Sequence, residues 1–244
     1  MKRSILMGAL LVLVAVGSAH ASSMNYAWNS CLPEGGVSSK AFACNTNSGL
    51  NSSVASFIPS VPRQLVAIYC DIYIQSASAS IEDWWQYQNA GTCRQTAASV
   101  SQNFISFPGS ICADPWSNNA VSALGSYVVP SPDFVTGPNS AKLIGLAALA
   151  SPGVAIVPGQ EYYGLIVRFS NAKTVGTGAC AGCATPVSLV LGKIELYEDG
   201  NNNVAETITT PAQSVCIDWQ GGSGLCSATP AKNRTWGAIK SLYR

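Results

Sequence analysis

Residues 66–74 read Val66-Ala67-Ile68-Tyr69-Cys70-Asp71-Ile72-Tyr73-Ile74. Laid out with the two-residue period of a β-strand, Val66, Ile68, Cys70, Ile72 and Ile74 fall on one face and Asp71 on the other. An alternating run this long predicts a strand with an apolar face turned to a core, and it sets the reading of the rest of the chain.

Further β-rich runs lie on both sides. Gln64–Gln75 contains the run above; Val121–Val129, Ala141–Ala150, Glu161–Ser170, Pro186–Glu198 and Val215–Gln220 repeat the pattern. In the fourth, Tyr163, Leu165, Val167 and Phe169 share a face. In the fifth, Val187, Leu189 and Leu191 alternate before the apolar phase slips to Ile194 and Leu196, and Gly192 at the slip predicts a β-bulge. Clusters such as Thr136-Gly137-Pro138-Asn139 punctuate the runs. Many strands so separated predict an all-β fold, an antiparallel β-sandwich. Leu143–Ala150 could also read as a short helix, and Trp236, Ile239 and Tyr243 predict a short C-terminal helix by their spacing.

The N-terminus predicts export. Lys2 and Arg3 precede an apolar run from Ile5 to Val16, and Ala19-His20-Ala21 offers a small-x-small cleavage site, so residues 1–21 read as a cleavable signal peptide and Ser22 as the mature N-terminus. The run is shorter than the roughly 20 apolar residues of a membrane span. Residues 22–244 then form a single domain, secreted to the cell exterior or the periplasm, with no transmembrane segment.

Removing 21 of the 244 residues leaves 223, and it takes away two of the 13 basic residues against 12 acidic ones. The mature charge is close to neutral, which makes nucleic acid an improbable partner. The one histidine, His20, lies in the signal peptide. A mature chain without imidazole has no Ser-His-Asp or Cys-His base and no typical His-ligated zinc or iron site. Carboxylate-pair chemistry stays open.

Nine cysteines in an exported chain read as disulfides with one left over. Near-neighbour pairing gives Cys31–Cys44, Cys93–Cys112, Cys180–Cys183 and Cys216–Cys226, each closing a turn-rich loop. Cys70, mid-strand on an apolar face, is then a buried free thiol. Cys180-Ala181-Gly182-Cys183 lies in a glycine-rich loop with no helix and no neighbouring cation to stabilise a thiolate, so it reads as a staple rather than a redox centre.

Three segments carry a resemblance: Asn171 to Cys183, with its Gly176-Thr177-Gly178-Ala179-Cys180-Ala181-Gly182-Cys183 loop; Asp83-Trp84-Trp85-Gln86 running to Gly91-Thr92-Cys93-Arg94; and the ending Thr235 to Arg244. Together they resemble a group of exported bacterial proteins, which implies export and a bacterial source and carries no catalytic residues. Cys70 falls where that group is not regularly Cys. The strand pattern from Gln160 to Leu196 is also similar, in architecture only, to cohesin-like and carbohydrate-binding β-sandwiches.

Two candidate sites remain. Asp199, Asn201 and Asn203 alternate like the start of a calcium loop, but Val204 stands where the EF-hand pattern needs Gly, so a hairpin turn is the simpler reading. Trp84, Trp85 and Tyr87 are the densest aromatic cluster; read as a strand they offer either a glycan platform or core packing. Glu82 and Asp83 are adjacent and would point apart, while Glu161 and Glu195 lie on different strands. No cofactor is implied. The leading expectation is a non-catalytic structural or adhesive protein of the cell surface or matrix, with a glycan-binding module second and a carboxylate-based hydrolase third.

Overall fold

The computed structural model describes residues 21–87, 91–200, 203–209 and 215–226. The signal peptide through His20, the C-terminal helix expected around Trp236 and the middle calcium candidate Asn201 lie outside them.

The described residues form twelve strands. They are β1 (Ser23–Trp28), β2 (Ser39–Lys40), β3 (Leu50–Ile58), β4 (Arg63–Ser76), β5 (Ala98–Ser101) and β6 (Val121–Val128), then β7 (Ser140–Ala148), β8 (Val154–Ile156), β9 (Tyr162–Ser170), β10 (Val187–Glu198), β11 (Val204–Ile208) and β12 (Cys216–Trp219). Two sheets form: a small one ordered β1-β3-β9-β5 and a large one ordered β2-β12-β10-β4-β7-β6, with β8 on β4 and β11 on β10. Among the described residues every strand pairing is antiparallel except the two-residue β12–β2 contact, and an isolated parallel bridge joins Ala113 to Tyr162 of β9. The fold is the disulfide-stapled all-β sandwich that the alternation predicts. Leu143–Ala150 is strand rather than helix through Ala148.

β4 is the spine of the large sheet, bonded to β10 along one edge and to β7 and β8 along the other. Ile68, Cys70, Ile72 and Ile74 are fully or almost fully buried and belong to the main core. Burial of such side chains is worth roughly 1.5–3 kcal/mol each and supplies most of the drive for the sheets to pack.

Two glycine bulges change which face a strand presents. At Gly192 the register of β10 against β4 jumps from Leu191↔Ile72 to Lys193↔Asp71, so Leu189, Leu191, Ile194 and Leu196 all enter the core. At Gly164 the register of β9 against β3 jumps from Leu165↔Ala55 to Tyr163↔Ser56. Leu165, Val167 and Phe169 face inward, but Tyr163 does not share their face. It is turned to the outer side of the small sheet, where its ring stacks on Phe104 at 4.5 Å. The unbroken alternation read from sequence misses this because Gly164 adds a residue without adding a visible side chain.

One end of the sandwich is closed by aromatic rings. Trp219 stacks on Phe42 at 3.8 Å and lies 4.9, 5.2 and 5.9 Å from Trp84, Trp85 and Trp28. Three of the four buried indole N–H groups are placed on acceptors, Trp28 on the Asp218 carbonyl, Trp84 on the Thr174 hydroxyl and Trp219 on the Cys183 carbonyl, while that of Trp85 has none among the described residues.

The disulfides run Cys31–Cys112, Cys44–Cys183, Cys93–Cys180 and Cys216–Cys226. Cys70 is free and buried. Three of the four near-neighbour pairings are therefore corrected: Cys31 does not pair with Cys44, nor Cys93 with Cys112, nor Cys180 with Cys183. The short segments 31–44, 93–112 and 180–183 alternate with three cross-links to make one closed covalent ring. Sequence proximity picks out loops flexible enough to bridge, but the partner of each cysteine is decided by which loop the sandwich lays beside it.

Candidate functional site

The outward face of the large sheet holds a charged cluster centred on β4 and built with its two neighbours, β7 and β10. Asp71 on β4 is 3% exposed. Its Oδ2 accepts Lys142 of β7 at 3.0 Å and Lys193 of β10 at 3.4 Å. Lys142 also reaches Asp133 at 3.1 Å, and Lys193 reaches Glu195 at 2.8 Å. The Gly192 bulge places Lys193 opposite Asp71 and so creates this cluster.

Tyrosines frame it. Tyr69 takes the Lys193 ammonium over its ring at 5.2 Å, and Tyr73 takes Lys142 at 5.4 Å. Tyr197 donates to Glu195 at 3.3 Å. Tyr73 is covered by Phe134 at 4.9 Å and packs with Val135 and Val190 in a second, smaller cluster. Tyr69 and Tyr197 remain partly exposed. Burial costs Lys142 some basicity, but its hydrogen bonds to Asp71 and Asp133 outweigh that and raise its pKa. Burial, with Asp71 adding to it, pushes Tyr73 up to about 12. The lysines and tyrosines thus hold their protons at neutral pH. The face offers two partly open aromatic rings beside fixed ammonium and carboxylate groups, an arrangement suited to holding a polar, ring-bearing ligand.

The aromatic cluster named from sequence is elsewhere. Trp84, Trp85 and Tyr87 are all 0% exposed, so no sugar can stack on them. They do not lie on a strand: Asp83–Trp85 is a single 3-10 turn that sends both tryptophans into the plug at the sandwich end. Consecutive buried rings are possible here because the turn is walled on both sides, by Trp219 and by Phe169.

The carboxylate candidates are apart. Glu161 accepts from Asn25 at 2.8 Å and Ser56 at 2.6 Å on the small sheet's outer side. Glu195 lies on the outward face of the large sheet, so the sandwich separates the two. Glu82 accepts the Ser76 hydroxyl at 2.9 Å, capping the end of β4. Asp199 stands in the turn that follows β10, its N–H donating to the Gln64 carbonyl at 3.0 Å. Cys180 and Cys183 each bond to a distant cysteine, so the pair is not a dithiol centre.

Nothing in the residues around Glu34 marks it out before folding. It gathers the Tyr163 hydroxyl, the Ser110 hydroxyl and the backbone N–H groups of Gly109, Ile111 and Cys112. Burial alone would raise its pKa, but these donors outweigh burial and hold it down to about 2. It fixes the loop that covers the outer side of the small sheet, next to the Cys31–Cys112 bond.

No family model matches the chain, and no curated protein matches it. Among solved structures it is similar to biomass-sensing modules of Rsgi-like proteins of Clostridium thermocellum, which resemble a family 3 carbohydrate-binding module of the cellulosome. The identity is 11% over 82% of this chain and 94% of that one, with a TM-score of 0.29. It is also similar to a protein of Corynebacterium diphtheriae described as membrane-anchored, at 12% identity over 84% of this chain and 36% of that one, with a TM-score of 0.24.

Proposed function

We propose that this protein is an exported, non-catalytic component of the cell surface or extracellular matrix, acting as a structural or adhesive element. The observation that carries the reading is the covalent ring of three disulfides around an all-β sandwich. Such cross-links persist in oxidising compartments outside the cytosol, and here they clamp loops from both sheets. A scaffold fixed in this way favours a role in holding position over one that depends on moving loops.

Fractionation of the native source with a specific antibody tests this. The protein is expected in the envelope or matrix fraction, its disulfides intact on non-reducing gels. Recovery wholly as a freely diffusing protein with hydrolytic activity overturns it.

A second reading, glycan binding, is favoured by the large sheet's outward face. Tyr69 and Tyr197 present partly exposed rings beside the Asp71–Lys193–Glu195 ion pairs. Depletion of the purified protein by insoluble polysaccharides tests it. Binding that persists undiminished in a Tyr69→Ala/Tyr197→Ala variant would rule this face out.

A further inference from the structure

Three strands of the small sheet, β3, β5 and β9, carry no negative charge. No Asp or Glu occurs in segments 35–70, 91–113 or 162–194, which supply β3, β5 and β9. Within this region Arg94 is 2% exposed, and among the described residues no carboxylate pairs with it. Its guanidinium lies 3.5 Å from the centroid of the Trp84 ring. It donates to the carbonyls of Trp84 and Ser170. Among the described residues its Nε has no hydrogen-bond partner, and neither has the Tyr87 hydroxyl. Two carbonyls and a ring face leave a full positive charge unneutralised, an expensive arrangement for a buried group.

Arg94 forms part of the wall of a cavity of about 440 Å³ between the loop entering β5 and the loop leaving β9. Lys173, exposed on the rim, spends one donor on the Cys93 carbonyl at 2.8 Å and keeps the others. Thr92, Gln95 and Thr96 add hydroxyl and amide groups to the lining. A volume in this range suits a small ligand. Two cations, no acid and a polar lining define what it would accept: one negative charge on a hydroxylated body.

We propose that this cavity binds a carboxylated sugar residue, its carboxylate drawn by Lys173 and the buried charge of Arg94 and its hydroxyls met by Thr92, Gln95 and Thr96. The site lies at the end of the small sheet, away from the tyrosine face, and stands independently of that reading. Because a ligand that binds the folded state alone raises its stability in proportion to ln(1 + [L]/Kd), thermal unfolding can detect it.

The experiment titrates the mature protein with glucuronate, glucose and acetate at constant ionic strength and follows Tm. Glucuronate is expected to raise Tm along a saturating curve, with glucose inactive and acetate at least tenfold weaker. Lys173→Ala, which also loses the hydrogen bond to the Cys93 carbonyl, should still fold and weaken glucuronate about fivefold; Arg94→Gln, if it folds, should abolish the effect. Three results overturn the proposal: no saturable rise with glucuronate, an undiminished response in Lys173→Ala, or acetate equal to glucuronate.

Discussion

Gly192 is required by its neighbour rather than by its own backbone. A Cβ built there would overlap the ring of Tyr73, lying within 2.9 Å of Cδ2 and closer still to Cε2. The ring cannot simply withdraw, because Phe134, Val135 and Val190 pack around it. An ordinary carbon–carbon contact needs about 3.5–4.0 Å, so Gly192→Ala must drive the ring outward by close to an ångström. Overpacking of this kind costs about 1–3 kcal/mol. Phe134 is 49% exposed and can yield, which places the expected loss near 2 kcal/mol. The same substitution in a Tyr73→Ala background meets no ring. There the smaller unfolded-state entropy of Ala should make it neutral or stabilising by up to about 1 kcal/mol. Urea unfolding of the four proteins gives the coupling, expected at about 2–3 kcal/mol. An equal cost for Gly192→Ala in both backgrounds would refute the steric account of the bulge.

Cys70→Val should shift stability by less than about 1.5 kcal/mol as a near volume-conserving swap; burial pushes the thiol pKa far up, so quantitative labelling should find one thiol, reactive only after denaturation and absent from the variant. Glu34, held at about 2 in the folded protein against a usual value near 4.5, contributes stability that is complete above about pH 4.5 and lost as pH falls toward 2; in Glu34→Gln that segment of the acid-unfolding curve should flatten, and an unchanged curve would show that the donors around it do not depend on its charge. Removing Cys216–Cys226, which closes a separation of only 10 residues, should cost about 2.7 kcal/mol by loop-closure entropy, to be read from the urea midpoint of Cys216→Ala/Cys226→Ala.

The strands with clear alternation were legible almost to the residue: β4, β6, β7, β9, β10 and β12 all begin and end within about two positions of the runs read from sequence, inside the usual boundary scatter. The missed strands have physical reasons. β3 carries buried Ser53 and Ser56, satisfied by Tyr26 and Glu161, so its inward and outward residues do not separate by polarity. β5 and β8 are four and three residues long, too short for a period to register. Gly192 was visible as a phase slip because apolar residues flank it on both sides, whereas the slip at Gly164 was hidden by Tyr163, equally at home on either face. The site was less legible. Asp71 stood out as polar within an apolar strand, but Lys142, Lys193 and Asp133 join it only through register, and Arg94 has nothing in its local sequence to mark it as buried.

The ring of three disulfides also decides what a cut in the chain can do. Segments 45–92 and 113–179 each leave the ring at one cysteine and return to it at another, and between them they carry β3, β4, β6, β7, β8 and β9. A protease that opens any loop within either segment releases nothing, since both new ends stay tied to the same covalent frame. Fragments would separate only after reduction, so a nicked molecule would keep its mass, and with it both sheets, for as long as its surroundings stay oxidising.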